Sequence, residues 1–361
     1  MFVMWNFLLI PFSWIYRAVI VVRHKLFDSG LLKSRRFDIP VICIGNITVG
    51  GTGKTPFAEM LIRHFCENYN VALLSRGYGR RTKGYLEVQT TTPCSRSGDE
   101  PKQIKLKFPN AVVAVCERRA EGIETIRCNH PEVNLIIMDD GFQHRRVEAK
   151  VNIVLIDYTR PLHEDHMLPW GRLRDLPSQL HRAHFVCMTK CPPTMNALQQ
   201  RITRKELSLY PYQCLFFTRV VSGTPQPIFP SDAPPTVTAG AKVIAMAAIG
   251  NPSAFVHGLE NRYDVVDTII FGDHHSYRVA DLSRMRKALD SAPEGTVIVT
   301  TEKDAVKLTS ARKIPVEIRS RLYLMPIHIS FVDNSKEDFL HKLEYDVRTN
   351  QTNRLFYSRE G

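Results

Sequence analysis

The sequence lacks any uninterrupted apolar run of the ~20 residues that a bilayer crossing needs, and it has no C-x-x-C pair, no internal repeat and no low-complexity tract. Those absences exclude a spanning bundle, a solenoid and a zinc ribbon. Eight cysteines are scattered; Cys187 and Cys191 stand at C-x₃-C spacing with no second pair to complete a metal site. Reduced thiols in a cytoplasmic compartment follow, with no metal held by sulfur. Acidic residues are in deficit: 36 Asp and Glu against 48 Lys and Arg leave a formal charge of +12. Such an excess attracts polyanions, whether nucleic acid, anionic lipid or a phosphorylated substrate. The basic residues are dispersed rather than gathered in a stripe with interleaved aromatics, so no nucleic-acid partner is expected. No basic run precedes the apolar N-terminus and no small-residue cleavage site follows it, so a secretory signal is not expected.

What is present reads as a folded chain of two α/β units. Residues 1–36 begin with an apolar, aromatic stretch (Phe2, Trp5, Phe7, Phe12, Trp14, Tyr16), interrupted by Pro11 and Arg17 and followed by Arg23, Lys25, Lys33, Arg35 and Arg36. Aromatics beside a basic cluster suit a helix lying in a membrane interface; the alternative is a helix packed on the protein's own core. Residues 37–220 alternate short apolar runs (41–44, 71–74, 111–115, 135–138, 153–156, 185–188) with helical stretches such as 56–68 and 118–128. Continuous apolar runs without alternation are the mark of parallel strands buried on both faces, so this part reads as a doubly wound, mostly parallel sheet. Residues 221–240, rich in Pro, Ser and Thr, read as an extended linker. Residues 241–346 form a smaller α/β unit, with strands at 242–248, 263–270, 296–301 and 322–325, and 347–361 a polar tail.

The chemistry starts at the first strand. Asn46-Ile-Thr-Val-Gly-Gly-Thr-Gly-Lys54-Thr55-Pro56 is a strand, a Gly-rich turn and a helix start. Backbone amides of Thr48, Val49, Gly50, Gly51, Thr52 and Gly53 would cradle phosphate, Lys54 would reach the β/γ-phosphates, and the Thr55 hydroxyl would bind Mg²⁺. The strict pattern has Gly where this chain has Thr48. Asp139 and Asp140 end an apolar strand, where open α/β sheets bind ligands. Asp139 is placed to hold Mg²⁺, and Asp140 to share the metal or orient a nucleophile. Arg76, Arg80, Arg81, Arg145 and Arg146 lie near strand ends and suit a phosphate on the acceptor. A nucleotide-switch GTPase or partitioning-type ATPase is the alternative to a phosphotransferase. The run ending in Lys190 resembles a guanine-recognising strand, but no Asp completes Asn-Lys-x-Asp.

Seven segments in order, among them Leu74-Ser-Arg-Gly-Tyr-Gly79, Gly98-Asp-Glu-Pro101, Asp139-Asp-Gly-Phe-Gln-His144, Leu168-Pro-Trp-Gly-Arg-Leu-Arg-Asp175 and Thr300-Thr-Glu-Lys-Asp-Ala305, resemble the tetraacyldisaccharide 4′-kinase family. The resemblance implies ATP- and Mg²⁺-dependent phosphorylation of the 4′-hydroxyl of a lipid A disaccharide 1-phosphate, at the cytoplasmic face of an inner membrane, with no protein partner. It implies that Asp99, set in a loop at 95–101, and His274, in Phe271-Gly-Asp-His-His-Ser-Tyr277, form a catalytic dyad. It also implies substrate contacts at Asn46, Arg76, Gln143, His144, Arg174 and Asp175. Asp175 stands where the family usually has Glu, Trp170 where a small residue is usual, and Arg172 where Pro is common.

Overall fold

A computed structural model describes residues 7–232, 236–273, 275–310 and 314–349. His274, residues 1–6 and most of the expected polar tail lie outside them. Among the described residues the large sheet has nine strands, in the order β14-β8-β7-β6-β1-β5-β2-β4-β3. These are β1 Val41–Asn46, β2 Val71–Ser75, β3 Leu86–Glu87, β4 Val112–Val115, β5 Leu135–Met138, β6 Val151–Asp157, β7 Phe185–Thr189, β8 Cys214–Ser222 and β14 Ile327–Phe331. All neighbours are parallel except the two edge pairings, β3 with β4 and β14 with β8.

The apolar runs explain this placement. Successive side chains of a strand point to opposite faces, so Val41 and Cys43 feed one core while Ile42 and Ile44 feed the other. A central parallel strand has no polar face, and helices must cover both sides. The helix α2 (Lys54–Phe65) covers one face with Phe57, Leu61, Ile62 and Phe65. The N-terminal helix α1 (Ile10–Asp28) lies against the other core through Tyr16 and Ile20.

The helices α3 (Asp99–Lys107), α4 (Arg119–Asn129) and α5 (Ala197–Leu207) complete the first unit. The second sheet has the order β11-β10-β12-β13-β9, from β9 Gln226–Pro227, β10 Lys242–Ala247, β11 Asp264–Ile270, β12 Val297–Thr301 and β13 Leu322–Met325. Its helices are α6 (Pro252–Glu260), α7 (Val279–Ser291) and α8 (Glu302–Ser310).

Three sequence expectations change here. The 221–240 stretch is not wholly a linker: β9 inside it pairs antiparallel with β13, on a sheet edge where a proline's missing N–H does no harm. Asp99 is not in a loop but is the first residue of α3. After β13 the chain returns to the large sheet, adding β14 and then α9 (Lys336–Arg348), whose Phe339 ring lies 5.2 Å from Phe216 and 5.5 Å from Phe185. We therefore propose that the second unit ends near Met325 rather than at 346.

Candidate active site

The site opens at the carboxyl ends of β1 and β5, adjacent strands paired Cys43 to Met138. Between β1 and α2 the chain turns through Gly50 (φ +108°) and Gly53 (φ +86°), conformations an L side chain rarely tolerates. Gly51 has an ordinary φ and open space, so it is not required there in the way its two neighbours are. Thr48 and Thr52 are buried, and the Val49 amide donates to the Arg172 carbonyl at 2.8 Å.

Lys54 starts α2, its Nζ 3.3 Å from Asn46 Oδ1 and 3.4 Å from Asp140 Oδ1. Arg174 grips Asp140 with both terminal nitrogens, Nη1 at 3.0 Å from Oδ2, and also donates to Asn46 Oδ1. Burial works against ionisation of Asp140, but the Arg174 hydrogen bonds and the Lys54 charge outweigh it and hold the carboxyl below the usual range. Asp140 itself sits at φ +49°, in the left-handed region.

Asp139 is in the opposite condition. Burial, then the Glu100 and Asp140 charges, push its carboxyl up to about 7. Its Oδ1 is buried with no hydrogen-bond partner among the described residues, while Oδ2 accepts from Ser75 Oγ at 3.4 Å. A buried, unsatisfied carboxylate oxygen at a strand end beside a P-loop is what a divalent cation would satisfy, and an oxygen donor set suits Mg²⁺. Asp139 therefore fits a Mg²⁺ ion, and Thr55, the second residue of α2, follows Lys54 at the end of the loop.

Asp99 reaches the site from another direction. Gly98, at φ +88°, lies so close to Gly77 and the Tyr78 carbonyl that a Cβ there would meet that oxygen at 3.0 Å. This contact fixes the start of α3 against the loop carrying Arg76. Across from Asp99 stands α8 of the second unit: Lys307 Nζ is 3.5 Å from Asp99 Oδ2.

A family model for tetraacyldisaccharide-1-P 4′-kinase matches residues 5–345. Tetraacyldisaccharide 4′-kinases of Phocaeicola vulgatus and Flavobacterium johnsoniae are 40% and 36% identical, covering 96% and 94% of this chain and 97% and 96% of theirs. A crystal structure of LpxK from Aquifex aeolicus in complex with ATP aligns with a TM-score of 0.73 at 27% identity, over 95% of this chain and 99% of that one. The chain belongs to the tetraacyldisaccharide 4′-kinase family.

Several residues expected at the substrate are engaged by the protein itself. Asp175 is fully buried: its Oδ1 is 2.6 Å from His24 Nε2 and accepts from the Leu176 amide, and its Oδ2 faces Arg182 and Gln143. Arg145 donates to His24 Nδ1, so Nε2 carries the proton aimed at Asp175. Burial opposes ionisation of Asp175, and the His24 hydrogen bond leads the groups that nonetheless hold it below the usual range. Neither oxygen is left for substrate. Asn46 is equally buried and organises Lys54 and Arg174, while Gln143 Nε2 donates to the Asn46 carbonyl at 2.8 Å. These are braces of the phosphate cradle.

Among the arginines, Arg80 pairs with Glu117 and Arg145 with Asp28, whereas Arg76 stays exposed. His144 is half-buried, and burial, then the Arg119 and Arg76 charges, pull its imidazole down to about 4, so it is neutral at physiological pH. Arg119, which sequence reasoning passed over, is almost fully buried and donates to the Asp139 carbonyl at 3.4 Å. Its only sequence signal was a charge opening a helix after an apolar strand, which a solvated face would also give. His275 is committed to Asp281 at 2.9 Å and stacked on Phe271; His274, its neighbour, lies outside the described residues.

Proposed function

We propose that the γ-phosphoryl group of ATP is transferred to the 4′-hydroxyl of a tetraacyldisaccharide 1-phosphate held at a membrane surface, giving lipid IVA. The observation that carries this reading is the meeting of the P-loop lysine with two aspartates in opposite electrostatic states. Asp140 is locked as an anion by Lys54 and Arg174, while Asp139 keeps a buried oxygen unsatisfied. The Val49 and Thr52 amides, expected in the cradle, donate instead to the Arg172 and Gly50 carbonyls, so the other loop amides between 48 and 53 bind phosphate oxygens, and Lys54 neutralises their charge where it accumulates. Thr55 and Asp139 would hold Mg²⁺, which would supply further charge neutralisation.

Asp99, at the start of α3, is the group we assign to accept the proton of the attacking hydroxyl, with His274 as its partner. Arg76 and the neutral His144 line the acceptor side, where an exposed guanidinium suits a sugar phosphate. The cytoplasmic face of an inner membrane is the expected setting. What supports a membrane surface is α1. Phe12, Ile15, Val19 and Val22, with Trp14, are exposed at helical spacing, and Leu8 in the turn just before it is exposed too. The opposite side of the helix is spent on the kinase itself: Ser13 Oγ donates to the Met167 carbonyl at 2.7 Å and Tyr16 Oη to that of Arg174 at 3.0 Å. No helix among the described residues is long and apolar enough to cross a membrane.

The test is incubation with ATP, Mg²⁺ and the disaccharide 1-phosphate, followed by mass analysis. A gain of one phosphate on the acceptor is expected. Release of inorganic phosphate with the acceptor unchanged overturns the reading in favour of a nucleotide switch.

A further inference from the structure

Lys307 is nearly buried, its side chain 7% exposed, yet it belongs to the second unit and not to the P-loop sheet. An ammonium removed from water must be paired to be tolerated. Two carboxylates meet it, Asp304 Oδ1 and Asp99 Oδ2, each 3.5 Å from Nζ. Asp304 is itself pinned: its Oδ2 accepts from the Ala248 amide at 2.9 Å, just past β10, and from Thr301 Oγ1 at 2.7 Å, at the end of β12. Lys307 is therefore held from behind by the second sheet and presented to Asp99. The same helix docks on α3 a turn or two further along, where Lys107 bridges Glu59 and Glu302 and Gln103 donates to both of those glutamates.

We propose that Lys307 is a positioning residue for the phosphoryl transfer, fixing the orientation of the Asp99 carboxylate and setting it only when the second unit is docked. The proposal rests on the reading of Asp99 as the proton acceptor. Asp99 is 16% exposed, and the charge that faces its Oδ2 is that of Lys307, itself set by Asp304. Misplacement of a reacting group by an ångström costs about 10²-fold in rate, which sets the scale of the effect.

The experiment measures kcat and both KM values on the full-length enzyme for Lys307→Met, Lys307→Arg, Asp99→Asn and the double variant Lys307→Met with Asp99→Asn. Thermal melting is recorded for each. Lys307→Met should lower kcat by about 10–100-fold with the KM for ATP unchanged, because the nucleotide site lies wholly in the first unit. Lys307→Arg, which restores the charge, should recover most of the loss. Adding Lys307→Met to Asp99→Asn should cost nothing more, since the group to be positioned is already gone. If Lys307→Met does not fold, Lys307→Gln, of similar reach and without the charge, carries the same expectations.

Wild-type kcat in Lys307→Met beside an impaired Asp99→Asn overturns the positioning role alone. So does a double variant whose losses multiply, or an arginine variant as slow as the methionine one. Wild-type kcat in Asp99→Asn removes the proton-acceptor reading and this proposal with it.

Discussion

The two halves of the site are built differently. The phosphate half is closed within one sheet: Lys54, Asn46, Arg174 and Asp140 pair with one another at the ends of strands whose neighbours are fixed by parallel ladders. The proposed acceptor half is assembled across units, with Asp99 on the first and Lys307 on the second. The first arrangement is preorganised before any ligand arrives. The second depends on how α8 docks, so its chemistry is linked to the contact between units. Removing a pairing group from the phosphate half should damage transfer outright. Damage to the acceptor half should depend on what else is present.

The largest effect should come from Lys54→Ala. Loss of the charge that balances β/γ-phosphate oxygens should cut kcat by about 10³-fold or more, with an unchanged far-ultraviolet spectrum; wild-type turnover would remove the P-loop assignment. Next, Asp99→Ala and His274→Ala should each lower kcat by about 10²–10⁴-fold, and the double variant should be little worse than the poorer single. Multiplying losses in rapid-quench assays would separate the pair. His275→Ala should do far less to kcat, since its ring is engaged by Asp281.

A third test concerns stability. Asp175→Ala leaves His24 and Arg182 without their buried carboxylate and should cost about 3–5 kcal/mol in urea unfolding. Because the carboxyl is depressed in the folded state, its contribution is complete above the unfolded value near 4. It is lost as pH falls through the lower folded value. Wild type and variant should therefore converge in acid; a gap that persists there would assign the loss to packing.

The smallest effects on chemistry should come from the outer face of α1. Replacing Phe12, Trp14, Ile15 and Val19 with Ser should release the protein from lipid vesicles while leaving Mg²⁺-dependent ATP hydrolysis within about twofold, as is usual for surface changes away from a site. Deleting residues 1–22 is a blunter test. It also removes Ser13 and Tyr16, which hold the segment carrying Arg174, so it should lower both membrane binding and hydrolysis. Hydrolysis lost in the serine variant would show that the outer face serves the fold.

Much of this was legible in advance, and the reason is local. The strands at 41–44, 71–74, 135–138 and 185–188 announce themselves because a strand buried on both faces must be apolar throughout. The phosphate loop announces itself because only glycine takes the backbone angles found at Gly50 and Gly53. Harder to see were β8 and β14: β14 is an edge strand whose polar positions mimic loop composition, and β8 is the strand it covers. The start of α3 at Asp99 was hidden as well, since Gly98-Asp-Glu-Pro reads as a turn until Gly98 is seen packed on Gly77.

By itself, then, the sequence determined the α/β class, the nucleotide loop, the acidic pair and the apolar N-terminal helix, all properties written within about a dozen consecutive residues. Only the tertiary structure decided which polar residues are engaged by the protein itself. Asp175 and Asn46 look like ligands in the sequence and are buried partners in the fold, and the half-buried Gln143 gives its amide to the Asn46 carbonyl. Lys307, two hundred residues from Asp99, is indistinguishable in sequence from a solvated helix charge. Burial and pairing depend on what the chain folds back against, and that information is carried by no single segment.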